Sequence, residues 1–111
     1  MESLETRLAT LEYYQQLLLE MIDSDKCPFY RLVMERGLTK SEVEGVYRLC
    51  DELNEEYEQQ KAQGLVIYTD LLTQFAGLLN EKLNVNETVY AMIKQGIYEP
   101  LMNEFKHLIS D

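Results

Sequence analysis

The chain has 111 residues, enough for one modest hydrophobic core, so we expect a single domain over residues 1–111. Twenty acidic residues against ten basic ones give a net charge of -10, which argues against binding to nucleic acid or to an anionic membrane surface. The sequence has neither a signal peptide nor an apolar run of the roughly 18 residues that a membrane span needs, so we expect a soluble cytoplasmic protein.

Apolar residues recur every three or four positions along almost the whole chain, which predicts an all-α fold, a compact bundle of five or six helices. The first helix is predicted over residues 3–23, and its second half is apolar around most of its circumference, so we expect that half to be buried. Six residues of this helix follow the 4, 3, 4, 3, 4 spacing of a coiled-coil seam; they are Leu4, Leu8, Leu11, Gln15, Leu18 and Ile22. The polar Gln15 either fixes the register of a partner helix or lies at a solvated edge.

Two further helices follow. Pro28 is typical of the first turn of a short helix, and Gly37 is placed to end it. Thr39 and Glu42 form a capping box that predicts the start of a long third helix, which Gly64 ends. Its outer face is either a solvated surface or a docking site for a basic partner protein, because it carries six carboxylates, Glu44, Asp51, Glu52, Glu55, Glu56 and Glu58.

The last third of the chain predicts three more helices. Residues 65–68 are interpreted as a buried connector, since a lone strand would have nothing to pair with. The fourth helix is predicted to continue to Leu83, and Gly77 within it suggests that another helix approaches closely. Asn86 is predicted to cap the fifth helix, and Pro100 lies in the first turn of the sixth.

Residues 62–80 carry a single charge, Asp70, where the overall composition would give about five. A segment that is apolar on every side needs cover on every side, and a chain of this size has little material to provide it. We therefore predict that the protein self-associates as a dimer or trimer. The predicted interface combines the seam of the first helix with two residues of the neutral segment, Phe75 and Leu79.

The sequence contains no convincing catalytic, metal or nucleotide signature, so we predict no catalytic residues and no cofactor. Cys27 and Cys50 are interpreted as free, unactivated thiols, because neither forms a CxxC pair. The alternative hypothesis is a helix-bundle metal-binding enzyme. Glu104 and His107 have the i, i+3 spacing of ligands in such bundles, but a dinuclear site would need a second pair and further carboxylates from another copy.

Two long segments, RGLTKSEVEGVYRLCDELNEEYEQQKAQG (36–64) and LLTQFAGLLNEKLNVNETVYAMIKQGIYEPLMNEF (71–105), resemble the YhaI-like family of small helical proteins from Gram-positive bacteria. The resemblance covers most of the chain and implies a compact all-α fold and a cytoplasmic bacterial protein. It implies no activity, and no functional residues carry over. We therefore expect a homo-oligomeric structural or protein-interaction module without catalysis.

Overall fold

A computed structural model of the chain describes residues 3–22 and 26–109. It confirms the all-α prediction, with six helices and no strand in the described ranges. The helices are α1 (Leu4–Met21), α2 (Pro28–Arg36), α3 (Lys40–Ala62), α4 (Thr69–Leu78), α5 (Val85–Gln95) and α6 (Glu99–Ile109).

Helices α2 to α6 enclose one hydrophobic core, and we call this part of the chain the body. Helix α5 packs on α2 and α6, and α4 packs on α3 and α6. Phe75 of α4 and Phe105 of α6 lie at the centre, with ring centroids 5.3 Å apart. The side chains with no exposed surface come from every helix of the body and include Phe29, Cys50, Leu71, Phe75, Val89, Met92, Leu101, Met102 and Phe105.

Helix α1 contributes no buried residue to this core. The radius of gyration is 17.0 Å, against about 13 Å for a compact chain of this length, and the longest dimension is 64 Å. The expectation that the second half of α1 is buried is therefore wrong for a single chain. The physical reason is that α2 to α6 already supply enough apolar surface to close a core without α1.

Several local signals in the sequence are confirmed. Gly37 ends α2 in the left-handed conformation, with φ of 69°. Thr39 and Glu42 form both hydrogen bonds of the capping box at the start of α3. Pro100 lies in the first turn of α6. These positions were predictable because each depends on backbone geometry within a few residues.

Asparagine side chains place two boundaries differently from the prediction. Helix α4 ends before Leu83, because Asn80 folds into a turn in which its Oδ1 accepts a hydrogen bond of 2.9 Å from the backbone N–H of Lys82. Asn84 caps α5 instead of Asn86, and its Oδ1 accepts a hydrogen bond of 3.0 Å from the N–H three residues later. In both cases an asparagine side chain accepts the hydrogen bond of a backbone N–H group that would donate to a backbone carbonyl in a continuous helix.

The connector between α3 and α4 is exposed, not buried as predicted. Val66 and Ile67 are 80% and 73% exposed, and only Tyr68 is buried, with its hydroxyl donating a hydrogen bond to the carbonyl of Leu65. Gly77 of α4 also lacks the predicted close neighbour, since no atom outside its own stretch of helix lies within 4 Å of the position that a Cβ would occupy. The neutral composition of this segment therefore does not mean that it is enclosed.

The N-terminus of α2 is capped by a residue distant in the sequence. Cys27 precedes α2 and forms no side-chain cap. Instead, Gln95 at the end of α5 accepts hydrogen bonds at its Oε1 from the backbone N–H groups of Phe29, at 2.9 Å, and Tyr30, at 3.2 Å. This side chain connects α5 to α2 and satisfies donors that the helix itself leaves free.

Glu42 connects the start of α3 to the loop between α4 and α5. Its carboxylate accepts hydrogen bonds from Lys82 Nζ at 2.8 Å, the backbone N–H of Thr39 at 2.9 Å and Asn80 Nδ2 at 3.1 Å. The bond from Lys82, followed by those from Thr39 and Asn80, lowers the pKa of Glu42 to about 2. All three donors favour the ionised form.

We predict that Gln95→Ala lowers the free energy of unfolding by about 1–2 kcal/mol, because two backbone donors at the start of α2 lose their acceptor. Urea denaturation followed by circular dichroism measures the change. The matched control is Gln59→Ala, which removes an exposed glutamine of α3 and should leave the midpoint nearly unchanged. Equal midpoints for the two variants would refute the capping role.

We predict that Glu42 contributes to acid sensitivity. The folded pKa of about 2 lies below the ordinary value of 4.5, so its contribution is present above pH 4.5 and is lost as the pH falls toward 2. Glu42→Gln keeps an acceptor for the capping box but removes the charge. Between pH 5.5 and pH 3 the urea midpoint of this variant should therefore fall less than that of the wild type. The matched control is Glu44→Gln, because Glu44 is exposed on the same helix, and its urea midpoint should fall as much as that of the wild type. If the midpoint of Glu42→Gln also fell as much as that of the wild type, Glu42 would not be the source of the acid sensitivity.

Candidate functional site

Helix α1 is capped at its start, is hydrogen-bonded to α2 near its end, and contributes no buried residue to the core. Ser3 caps its start, where Oγ accepts a hydrogen bond of 3.1 Å from the backbone N–H of Thr6. Near its end, Arg31 of α2 donates a hydrogen bond of 2.8 Å from Nη1 to the carbonyl of Leu19. An isolated helix of 18 residues is only marginally stable in water, so these caps help to explain why the segment is helical.

The predicted seam of α1 lies at the surface. Leu4, Leu8, Leu11 and Leu18 are 69%, 51%, 61% and 57% exposed; Gln15 is also exposed, and Ile22 is half-buried. Further large apolar side chains of the same helix are exposed: Tyr14 and Met21 beside the seam, and Tyr13 and Leu17 on the outer face. Monomeric soluble proteins rarely expose so continuous an apolar surface, which marks α1 as the candidate interaction site.

The two interface residues predicted outside α1 occupy different environments. Phe75 is fully buried in the core, so its inclusion in the interface is wrong. Leu79 is half-buried and packs against the core. The exposed apolar residue of α4 is Leu78, at 68%. Helix α4 is amphipathic, with Leu71 and Phe75 turned inward, and its solvent face carries the single charge of Asp70 among small and uncharged polar residues and the exposed Leu78.

Part of the acidic face of α3 borders a shallow open depression of about 230 Å³ between α3 and α4. Leu49, Leu53 and Leu78 supply its apolar lining, and Glu52, Glu55 and Glu56 supply carboxylates. Leu78 also borders a second depression of about 330 Å³ at the start of α3. Both are wide open to solvent and hold no convergent set of catalytic groups, so they are surface features of the body.

The two cysteines are free, and neither is arranged for nucleophilic chemistry. Cys50 is fully buried on α3, and burial followed by the charge of Asp51 raises the pKa of its thiol to about 12. The thiol therefore stays protonated at neutral pH. Cys27 is half-buried beside the start of α2.

Glu104 and His107 lie on α6, the first half-buried and the second exposed. Within residues 3–22 and 26–109, no group of three or more His, Cys, Asp or Glu side chains is placed to bind a metal ion. The described part of one chain therefore offers no metal ligands beyond the pair Glu104 and His107 that the sequence spacing suggested.

Tyr98 is a structurally important residue that the sequence analysis missed. It is the only described non-glycine residue with positive φ, at 50°, and it joins α5 to α6. Its hydroxyl hydrogen-bonds to the carboxylate of Asp51 and, at 3.3 Å, to the carbonyl of Tyr47. Burial and the contact with Asp51 raise the pKa of Tyr98. No local sequence signal marks this residue, because its partners lie about 50 positions away on α3.

No helix in the described part of the chain is long and apolar enough to cross a membrane. A family profile described as a protein of unknown function, DUF1878, matches residues 1–110. The match spans both the exposed helix α1 and the body, so the two parts belong to one family unit. The chain is therefore a member of the DUF1878 family.

Proposed function

We propose that the protein is a homo-oligomeric structural or protein-interaction module without catalysis, and that its copies associate through α1. One observation carries this proposal: four leucines of one heptad seam are half to two-thirds exposed on a helix that contributes nothing to the core of its own chain. A second copy presents the same seam, so the two surfaces have matching chemistry.

The magnitude of the hydrophobic effect supports a moderate association. Covering each half-exposed leucine gives about 1 kcal/mol, so the four leucines of two copies together give about 8 kcal/mol. Association costs an estimated 4–15 kcal/mol in lost freedom of motion, so the leucines alone only balance it. Tyr14 and Met21, which flank the seam, must supply the surplus. We therefore infer a dimer or trimer that forms at micromolar concentration.

We further propose a cytoplasmic location in a bacterium. The acidic composition, the two free cysteines and the resemblance to the YhaI-like family support this location. The resemblance offers no activity to assign, and the described chain has no cluster of metal-binding side chains that would favour the enzyme alternative.

We predict that the wild type sediments as a dimer or trimer at micromolar concentration and that Leu11→Asp/Leu18→Asp sediments as a monomer, because each substitution places a carboxylate in the covered seam. Circular dichroism should show that the body of the variant remains folded, since neither residue contacts the core.

The matched control is Ala9→Asp/Gln16→Asp. It adds the same two charges to the same helix with the same spacing, but on the opposite face, so its mass should equal that of the wild type. Identical masses for the two double variants, or a monomeric wild type, would refute the proposal.

A further inference from the structure

We infer that α1 helices of neighbouring copies pair in parallel and in register; this inference rests on the proposed function and specifies its geometry. The seam divides into two sets of heptad positions. Leu4, Leu11 and Leu18 are seven residues apart and form the d set, and Leu8 and Gln15 form the a set within α1. Ile22, the last residue of the predicted seam, follows the end of α1 and has an extended backbone. Leucine at every d position is the arrangement found in parallel coiled coils.

Gln15 is the first discriminator between orientations. In a parallel, in-register pair, equivalent a positions meet, so the side-chain amide of Gln15 faces Gln15 of the second copy and can both donate and accept a hydrogen bond. In an antiparallel pair over the same residues, a positions face d positions, and Gln15 meets Leu11. Its amide would then lose water without gaining a partner. The parallel arrangement satisfies the one polar side chain of the seam.

The charged residues beside the seam favour the same orientation. Arg7 occupies a g position, and Glu12 occupies the e position five residues later. In a parallel pair, g of one helix lies beside the following e of the other, so Arg7 meets Glu12 of the second copy, twice per pair. In the antiparallel pair, Glu12 lies beside Glu12 of the second copy. Arg7 and Glu12 therefore attract each other across a parallel pair, whereas the two Glu12 side chains repel each other across an antiparallel pair.

The apolar residues beside the seam complete the match. Tyr14 is the next g residue, and the e residue five positions later is Leu19. Tyr14 is exposed in the single chain, and parallel pairing would place it against Leu19 of the second copy. The flanks thus change from charged near the start of α1 to apolar near its end, and in-register parallel pairing places charged residues beside charged ones and apolar residues beside apolar ones.

Cysteine cross-linking tests the orientation. The background is Cys27→Ser, with the buried Cys50 kept. In a parallel pair, Leu4→Cys places two thiols at facing d positions, so oxidised glutathione should convert most of the assembled protein to a disulfide-linked dimer within minutes. In an antiparallel pair, the same two thiols would be about 27 Å apart. Thr6→Cys, on the outer face of α1, is the matched control and should cross-link at least tenfold more slowly.

If the helices are antiparallel, an equimolar mixture of Leu8→Cys and Leu18→Cys chains should instead form a disulfide between the two different variants, because residue 8 of one copy then faces residue 18 of the other. That outcome, or no cross-link in protein that sediments as an assembly, would overturn the parallel arrangement while leaving self-association through α1 intact. A monomeric mass for the Cys27→Ser background at the same concentration would overturn the proposed function itself, and the parallel arrangement with it.

Discussion

The structure depends on an imbalance between one helix and the rest of the chain. Helices α2 to α6 bury their apolar faces against one another, whereas α1 exposes the four leucines of its seam and contributes no buried residue. Because the hydrophobic effect is proportional to the apolar area removed from water, covering these leucines would release binding free energy that the single chain does not use. We propose a second copy of the chain as the partner, because the heptad pattern, the polar Gln15 and the flanking charges of α1 all fit it.

The body is complete without this association. Contacts between residues far apart in the sequence hold it together: Gln95 caps α2, Glu42 connects α3 to the loop before α5, and Tyr98 connects the junction of α5 and α6 to α3. None of these contacts involves α1, whose hydrogen bond to the body comes from Arg31. Assembly and folding of the body are therefore separable, so a variant can lose the first and keep the second.

The features that sequence analysis predicted well are those with local causes. The capping box of Thr39 and Glu42 acts over three residues, and the helix periodicity acts over one turn. The cap from Gln95 could not be predicted, because it acts across 66 positions. Of the residues predicted for an interface, the leucines of the α1 seam are exposed and Phe75 is buried. Counting charges in residues 62–80 could not reveal that Phe75 points into the core and Leu78 points out, since that depends on where α4 begins and how it packs.

Hydrogen exchange of the wild type over a range of protein concentrations tests most directly whether another copy covers α1. An uncovered helix of 18 residues is marginal in water, so its amide protection should depend on association. We predict that dilution from 100 μM to well below the dissociation constant lowers the protection of α1 amides at least tenfold and leaves that of α3 amides unchanged. Protection of α1 that is the same at every concentration would contradict it.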